Sequence, residues 1–237
     1  MYAVAKKGMW VLTAVAALSI LTGCTNWKKK YQGLNVEHQN LKGLYESTAQ
    51  ERAALAQQLA QEKALVDELQ RQIAEGKKTP AQATGFEGFD TKFDAKAGTI
   101  TVTLQDMILF DAGKADLKKS NPLHKIYSVI NEKYSGKVVD VVGHTDSDPI
   151  KKSKWKDNWE LSSQRALAVT RDFVKMGMNP QDVRAVGRGE SMPVASNKTS
   201  AGKAKNRRVE IVVHLLSDEA KSAEPAEETG AANEEPK

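Results

Sequence analysis

Two residues of this chain carry the chemistry that decides how it is read. Asp146 follows a valine-rich run at 137–142, and Arg165 stands 19 positions further on, inside a helical pattern. A carboxylate and a planar guanidinium can close a loop onto a helix as an ion pair. From the residues alone that ion pair is the plainer reading, with ligand binding as the alternative. His144 lies two positions before Asp146, so strand alternation can put both on one face. No second His or Cys is near it in sequence, and a structural, hydrogen-bonded histidine is the plainer reading. No Ser/His/Asp set or paired-carboxylate arrangement stands out, so no catalysis, cofactor or metal is expected.

The third reactive side chain is Cys24, the only cysteine among 237 residues, which removes any internal disulfide framework and any zinc site built on cysteines. Lys6 and Lys7 precede an apolar run at 9–21 that is too short for a membrane span of about 20 residues. A basic start, a short apolar centre and small residues afterwards read as a secretory signal over 1–23. The run ends Leu21-Thr22-Gly23-Cys24, which resembles the bacterial lipobox. That resemblance implies acylation of Cys24, palmitate among the chains, as the first mature residue. Thr25, not Asp, follows it; by the same resemblance the destination is the outer membrane, facing the periplasm.

The elements that position these residues follow from periodicity. Residues 28–75 contain no proline and read as one helix, about 72 Å long at 1.5 Å per residue. With position a at Tyr31 and d at Leu34, nine of thirteen seam positions are apolar; Arg52, Thr48 and Glu62 interrupt the seam. The expectation is a coiled-coil-like spacer over 24–76, with possible homo-oligomerisation through 28–75. A single helix folded back onto the domain is the alternative. Residues 77–88, with Pro80 and two glycines, are expected to form a linker.

Beyond it, 99–104 alternates strictly and predicts a strand, and 137–142 predicts a buried one. Residues 183–186 and 209–215 predict two more, and 121–134 and 159–176 predict helices. The fold class expected for 89–216 is α/β, a two-layer α+β sandwich of order β-α-β-α-β-β with helices on one face of a mixed sheet. The tail at 217–237 is acidic and rich in Ala, Glu and Pro, and is expected to be disordered.

GHTD at 143–146, LSSQRA at 161–166, GRGE at 187–190, PVASN at 193–197 and NRRVEI at 206–211 appear in order, after FDAGKADL at 110–117. Together they resemble the OmpA-like peptidoglycan-binding domain shared by Pal-type lipoproteins and MotB-type stator proteins. The resemblance implies that Asp146 and Arg165 hold the free end of diaminopimelate in the wall's stem peptide. Thr145, Asn158 and Leu161 match positions beside that pocket, Asp111 its rim, and Arg208 a contribution to its positive field. The segment 147–157 departs from the compact pattern. It is longer and basic, with Lys151, Lys152, Lys154 and Lys156 around Trp155.

The formal charge of +5 divides into +6 over 84–217 and −5 over 218–237, with the remainder near the N-terminus. This does not suit nucleic acid, and none is expected as a partner. The function implied is an outer-membrane lipoprotein, held in the membrane by its lipid, that binds peptidoglycan non-covalently and so tethers the outer membrane to the wall. A stator anchor would need a retained membrane helix with an ion-carrying carboxylate, and residues 8–23 contain no Asp or Glu. A wall-modifying enzyme using Asp146 and His144 is the other alternative.

Overall fold

The computed structural model describes residues 2–151 and 153–217, with side chains from residue 27 onward. The lipidation expected at Cys24 and the acidic tail from 218 therefore lie outside the described residues. The chain divides into two compact units, 1–57 and 58–237.

The long helix α1 runs Tyr2–Ala74. Its two stretches treat the heptad seam differently. Within the first unit Tyr31, Leu34, Leu41, Tyr45 and Leu55 are exposed. Within the second, Val66 and Leu69 are buried in the core of the C-terminal domain. Glu62 interrupts the seam for a reason the heptad alone does not reveal. Its carboxylate is buried and accepts from Lys137 Nζ at 2.8 Å and from the Ser217 amide at 2.9 Å. Burial alone would raise the Glu62 carboxyl; those donors outweigh burial and lower it. Residues 58–74 thus belong to the domain and not to a free spacer.

The expected linker is also packed. The short helix α2 (Pro80–Thr84) opens with a capping box between Thr79 and Gln82 and closes on Gly85. Phe86 is fully buried, stacked on Tyr134 at 5.9 Å between ring centroids, and the Tyr134 hydroxyl donates to the Thr84 carbonyl.

The domain then runs through β1 (Asp90–Asp94), β2 (Thr99–Gln105), α3 (Asp106–Leu109), α4 (Leu123–Lys133), β3 (Val139–His144), α5 (Asn158–Lys175), β4 (Val183–Gly187), α6 (Ser200–Asn206) and β5 (Arg208–His214). One mixed sheet has the order β1-β2-β5-β3-β4; only β3 and β4 pair in parallel. Alternate residues Ile100, Val102, Leu104, Val139, Val141, Val209, Ile211 and Val213 supply the buried face, on which Ile126, Ile130, Val169 and Phe173 of the helices pack. The expected two-layer mixed α/β fold is what forms. The extra edge strand β1, with sequence DTKFD, shows a single inward apolar residue at Phe93, too little to register as alternation.

Two glycines set how closely α5 approaches the sheet. A Cβ on Gly143 would lie 2.2 Å from the Ser162 carbonyl oxygen, and one on Gly187 would lie 1.9 Å from Ser163 Oγ. Helix backbone therefore rests directly on the ends of β3 and β4, which fixes the height of Arg165 above the sheet end.

Candidate functional site

Three chain segments converge at one end of the sheet because of strand register. β2 pairs with β5 up to Gln105↔Arg208, and β3 pairs with β5 up to His144↔Arg208. Asp106 follows β2, Arg207 precedes β5, and Thr145-Asp146 follow β3, so all four emerge side by side. The Asp106 amide donates to the Arg207 carbonyl at 3.0 Å, extending the ladder one step into the site. The result is a cleft of about 940 Å³, also bordered by Phe110, the loop 112–116, Asn158, Leu161, Arg165 and the stretches 148–151 and 153–155.

Arg165 occupies a position on α5 that belongs to the inward stripe Leu161, Ser162, Ala166, Val169 and Phe173. It is 3% exposed. Its Nε donates to the Lys114 carbonyl at 3.0 Å, its Nη1 lies 3.1 Å from Asp106 Oδ2, and its guanidinium carbon sits 5.3 Å from the Phe110 ring centroid. Among the described residues nothing takes its Nη2 donors. Asp146, also buried, receives Arg207 Nη1 on Oδ2 and the Asp148 amide on Oδ1. Arg207 Nε lies 3.8 Å from Asp106 Oδ1. The charges therefore alternate: Asp146, Arg207, Asp106, Arg165.

Burial dominates the electrostatics here. It raises the Asp106 carboxyl despite Arg165 and Arg207 beside it, and it lowers Arg165 despite the Asp106 carboxylate. Neither charge is well solvated, so each depends on its neighbours or on an incoming ion. An array with two anions and two cations in a partly dry cleft suits a ligand that is itself a zwitterion. It offers no nucleophile with a base beside it, and among the described residues there is no His/Cys/Asp/Glu group that could hold a metal.

The structure brings together Asp146, Arg165, Thr145, Asn158 and Leu161 of the residues expected from sequence. Asn158 Nδ2 donates to the Asp146 and Asp148 carbonyls and to Glu190 Oε2, so it fixes the shape of the Asp146 loop. The Thr145 amide donates to the Gly189 carbonyl, and Ser162 Oγ accepts from the Gly189 amide, which ties that loop to α5.

Two expected residues lie elsewhere. Asp111 is exposed and pairs with Lys114 and Lys118, outside the cleft lining. Arg208 points away from the cleft, because adjacent strand residues face opposite ways. It is buried against Glu210 Oε1 at 2.6 Å and the carbonyls of Asn206 and Met192. His144 shares that outer face, its Nε2 3.5 Å from Glu210 Oε2, and takes no part in the cleft. Sequence reasoning misses Asp106 altogether and ranks Arg207 below Arg208. The one available signal was a carboxylate opening the apolar run Met107–Leu109, where a solvent-exposed role is hard to place.

Residues 109–207 match the sequence model of the OmpA family. Motility protein B of Bacillus subtilis (strain 168) is 40% identical over 119 residues, covering 48% of this chain and 44% of that protein. The probable lipoprotein YiaD of Escherichia coli (strain K12) is 36% identical over 119 residues, covering 49% of this chain and 52% of that one. The crystal structure of a putative MotB like protein from Desulfovibrio vulgaris aligns with a TM-score of 0.55 at 28% identity, covering 65% of this chain and 98% of that chain. The chain spans about half the length of the curated relatives it matches. The match at 109–207 takes in most of the segment that builds the sheet end and its cleft: the chain carries an OmpA-like domain, with homologues that include motility protein B and a probable lipoprotein.

Proposed function

We propose that this chain is an outer-membrane lipoprotein that holds the cell wall non-covalently, its cleft taking the free amino-acid end of diaminopimelate. The observation that carries the reading is the alternating array Asp146–Arg207–Asp106–Arg165 in the cleft. The ligand's ammonium sits against Asp146, whose carboxylate retains accepting capacity beyond Arg207 and the Asp148 amide. Its carboxylate takes the open Nη2 edge of Arg165, whose other edges are already held by Lys114 and Asp106. Charge-assisted bonds of this kind are about twice as strong as neutral ones, and a pre-held guanidinium loses little freedom on binding.

The lipid anchor rests on the lipobox-like run ending at Cys24 and on the similarity to a probable lipoprotein. The exposed seam from Tyr31 to Leu55 supports pairing of this stretch with a second copy, in parallel, since both chains would be anchored at the same end. In that arrangement Glu37 at a g position faces Lys42 at an e position of the partner helix. Two wall sites on one dimer would hold the wall by avidity, each individually weak.

Isolated peptidoglycan sediments the full chain in this reading. Asp146→Ala abolishes the pull-down, and Arg165→Lys, which keeps the charge but loses the fork, weakens it at least about tenfold. Undiminished sedimentation of both variants would sink the assignment. A second reading, an anchor for a motility machine with its N-terminal helix retained, is favoured by the 40% identity to motility protein B. Mass spectrometry of the mature N-terminus separates the two: an acylated Cys24 excludes a retained helix.

A further inference from the structure

The cleft is larger than one amino-acid end requires. At about 940 Å³ it falls among pockets that enclose a ligand of drug size, and the Asp146–Arg165 pair uses one part of it. Another part of its lining comes from 148–151 and 153–155 of the basic segment, which form a strap. Trp155 Nε1 donates to the Gly113 carbonyl at 3.0 Å, and Ser153 packs against the same glycine, so the strap is fastened to the 112–116 loop.

Two kinds of group in the cleft lining are left over from its polar contacts. Lys151 and Lys154 border the cleft, and among the described residues neither is paired with a carboxylate; Lys154 Nζ rests 4.5 Å from the Trp155 ring centroid. Thr145 is 4% exposed, yet its Oγ1 has no hydrogen-bond partner, and Ser153 Oγ is likewise buried and unpartnered. Both residues line the cleft. Each hydroxyl thus keeps an uncommitted donor at the cleft wall. The carboxylate of Asp148 does not supply it, being paired with Lys203 at 2.6 Å.

Hydroxyl donors and two ammonium groups not paired with a carboxylate, all lining one cleft, suit an anion. The geometry points to a second subsite, formed by Thr145, Ser153, Lys151 and Lys154, that binds a second carboxylate of the same stem peptide. Resting on the wall-binding reading, it takes the free α-carboxylate of the γ-linked glutamate that precedes diaminopimelate. The strap then makes the domain selective for wall peptides in which that group is a free acid and not an amide.

Isothermal titration of the full chain against two synthetic tripeptides tests this. One is L-Ala-γ-D-Glu-meso-diaminopimelate, and the other differs only in carrying an amide at the glutamate α-carboxyl. The free acid should bind about tenfold more tightly, the cost of one charge-assisted contact. The variant Lys151→Ala/Lys154→Ala should bind both peptides equally, at the level of the amide. Tripeptide binding that is lost in Asp146→Ala but is indifferent to amidation overturns the second subsite and leaves the first intact. Discrimination that survives the double lysine variant also overturns it. Failure of both tripeptides to bind overturns the wall-binding reading, and the subsite with it.

Discussion

Arg165 is held by Asp106 and not by Asp146: its Nη1 lies 3.1 Å from Asp106 Oδ2, while Asp146 is engaged by Arg207. The arginine proposed to meet the ligand is therefore positioned by a carboxylate from a different strand end. Asp106 keeps this post at a cost. Burial raises its pKa above the ordinary 3.8. A raised acid favours the fold in its protonated form, and that contribution is lost as pH rises through the folded value. Its place beside the guanidinium is thus explained by what it does to Arg165 and not by a gain of its own.

Asp106→Asn tests this division of labour. The substitution relieves the desolvation of one carboxylate but leaves a buried guanidinium short of a counter-charge, so the two effects on stability oppose each other. The expected result is a melting temperature within a few degrees of the parent, and affinity for diaminopimelate weaker by about tenfold, ~1.4 kcal/mol. Calorimetric titration beside a thermal melt reads both. An unchanged affinity would show that Lys114 and Phe110 orient Arg165 unaided.

Much of the fold was legible because burial leaves a period. The alternation at 99–104, the valines of β3 and the apolar stripe of α5 all follow from one sheet face being dry. Asp146 and Arg165 were reachable for a related reason: the first ends a strand, and the second is a charge inside a helix's inward stripe. Asp106 and Arg207 were not, since their meeting depends on β2 pairing with β5 across more than a hundred residues, which no local pattern encodes. Arg207 and Arg208 show the same limit at finer scale. They are neighbours in one motif, and the pleat alone decides that Arg207 enters the cleft while Arg208 is buried against Glu210. The heptad seam misled in the opposite way: its period runs on past Glu62 to Val66 and Leu69, but there its partner is the chain's own domain.

The close approach of α5 to β3 makes Gly143 a stringent position. A methyl group there meets a backbone carbonyl at 2.2 Å, which cannot rotate away. Gly143→Ala should cost about 3 kcal/mol, at the upper end of overpacking penalties, read as a lower denaturant midpoint. Because the helix must lift to relieve the clash, Arg165 rises with it. Wall binding should fall even at temperatures where the variant remains folded.

The exposed seam makes its own prediction. Leu34 and Leu41 are each 65% exposed at d positions, on a stretch that also contains Gly33 and Gly43, each costing a helix about 1 kcal/mol. Such a helix gains much of its stability from a partner. Light scattering of the chain should report a dimer, and Leu34→Asp/Leu41→Asp should return it to a monomer with reduced helicity. A monomer at all concentrations for the parent chain removes the avidity argument.

The last prediction concerns acid. On the outer face of the sheet, burial alone would raise the Glu210 carboxyl, but the His144 ring and the Arg208 guanidinium beside it outweigh burial and hold it at about 2, against an ordinary 4.5. A depressed carboxyl stabilises the fold above its unfolded value, and that contribution is lost as pH falls through the folded one. Between pH 4.5 and about 2 the domain should therefore lose up to about 3 kcal/mol through this group. Glu210→Gln should be less stable than the parent at pH 7, because it leaves Arg208 buried without its carboxylate. Its stability should fall less steeply below pH 4.5, the remaining slope coming in part from Asp140, whose carboxyl burial alone would raise but His214 and Arg184 lower. Urea unfolding at pH 7, 4 and 3 measures both. Parallel curves for the two proteins would mean that the pairing with Arg208 and His144 contributes nothing in acid, and a variant as stable as its parent at pH 7 would mean the same at neutrality.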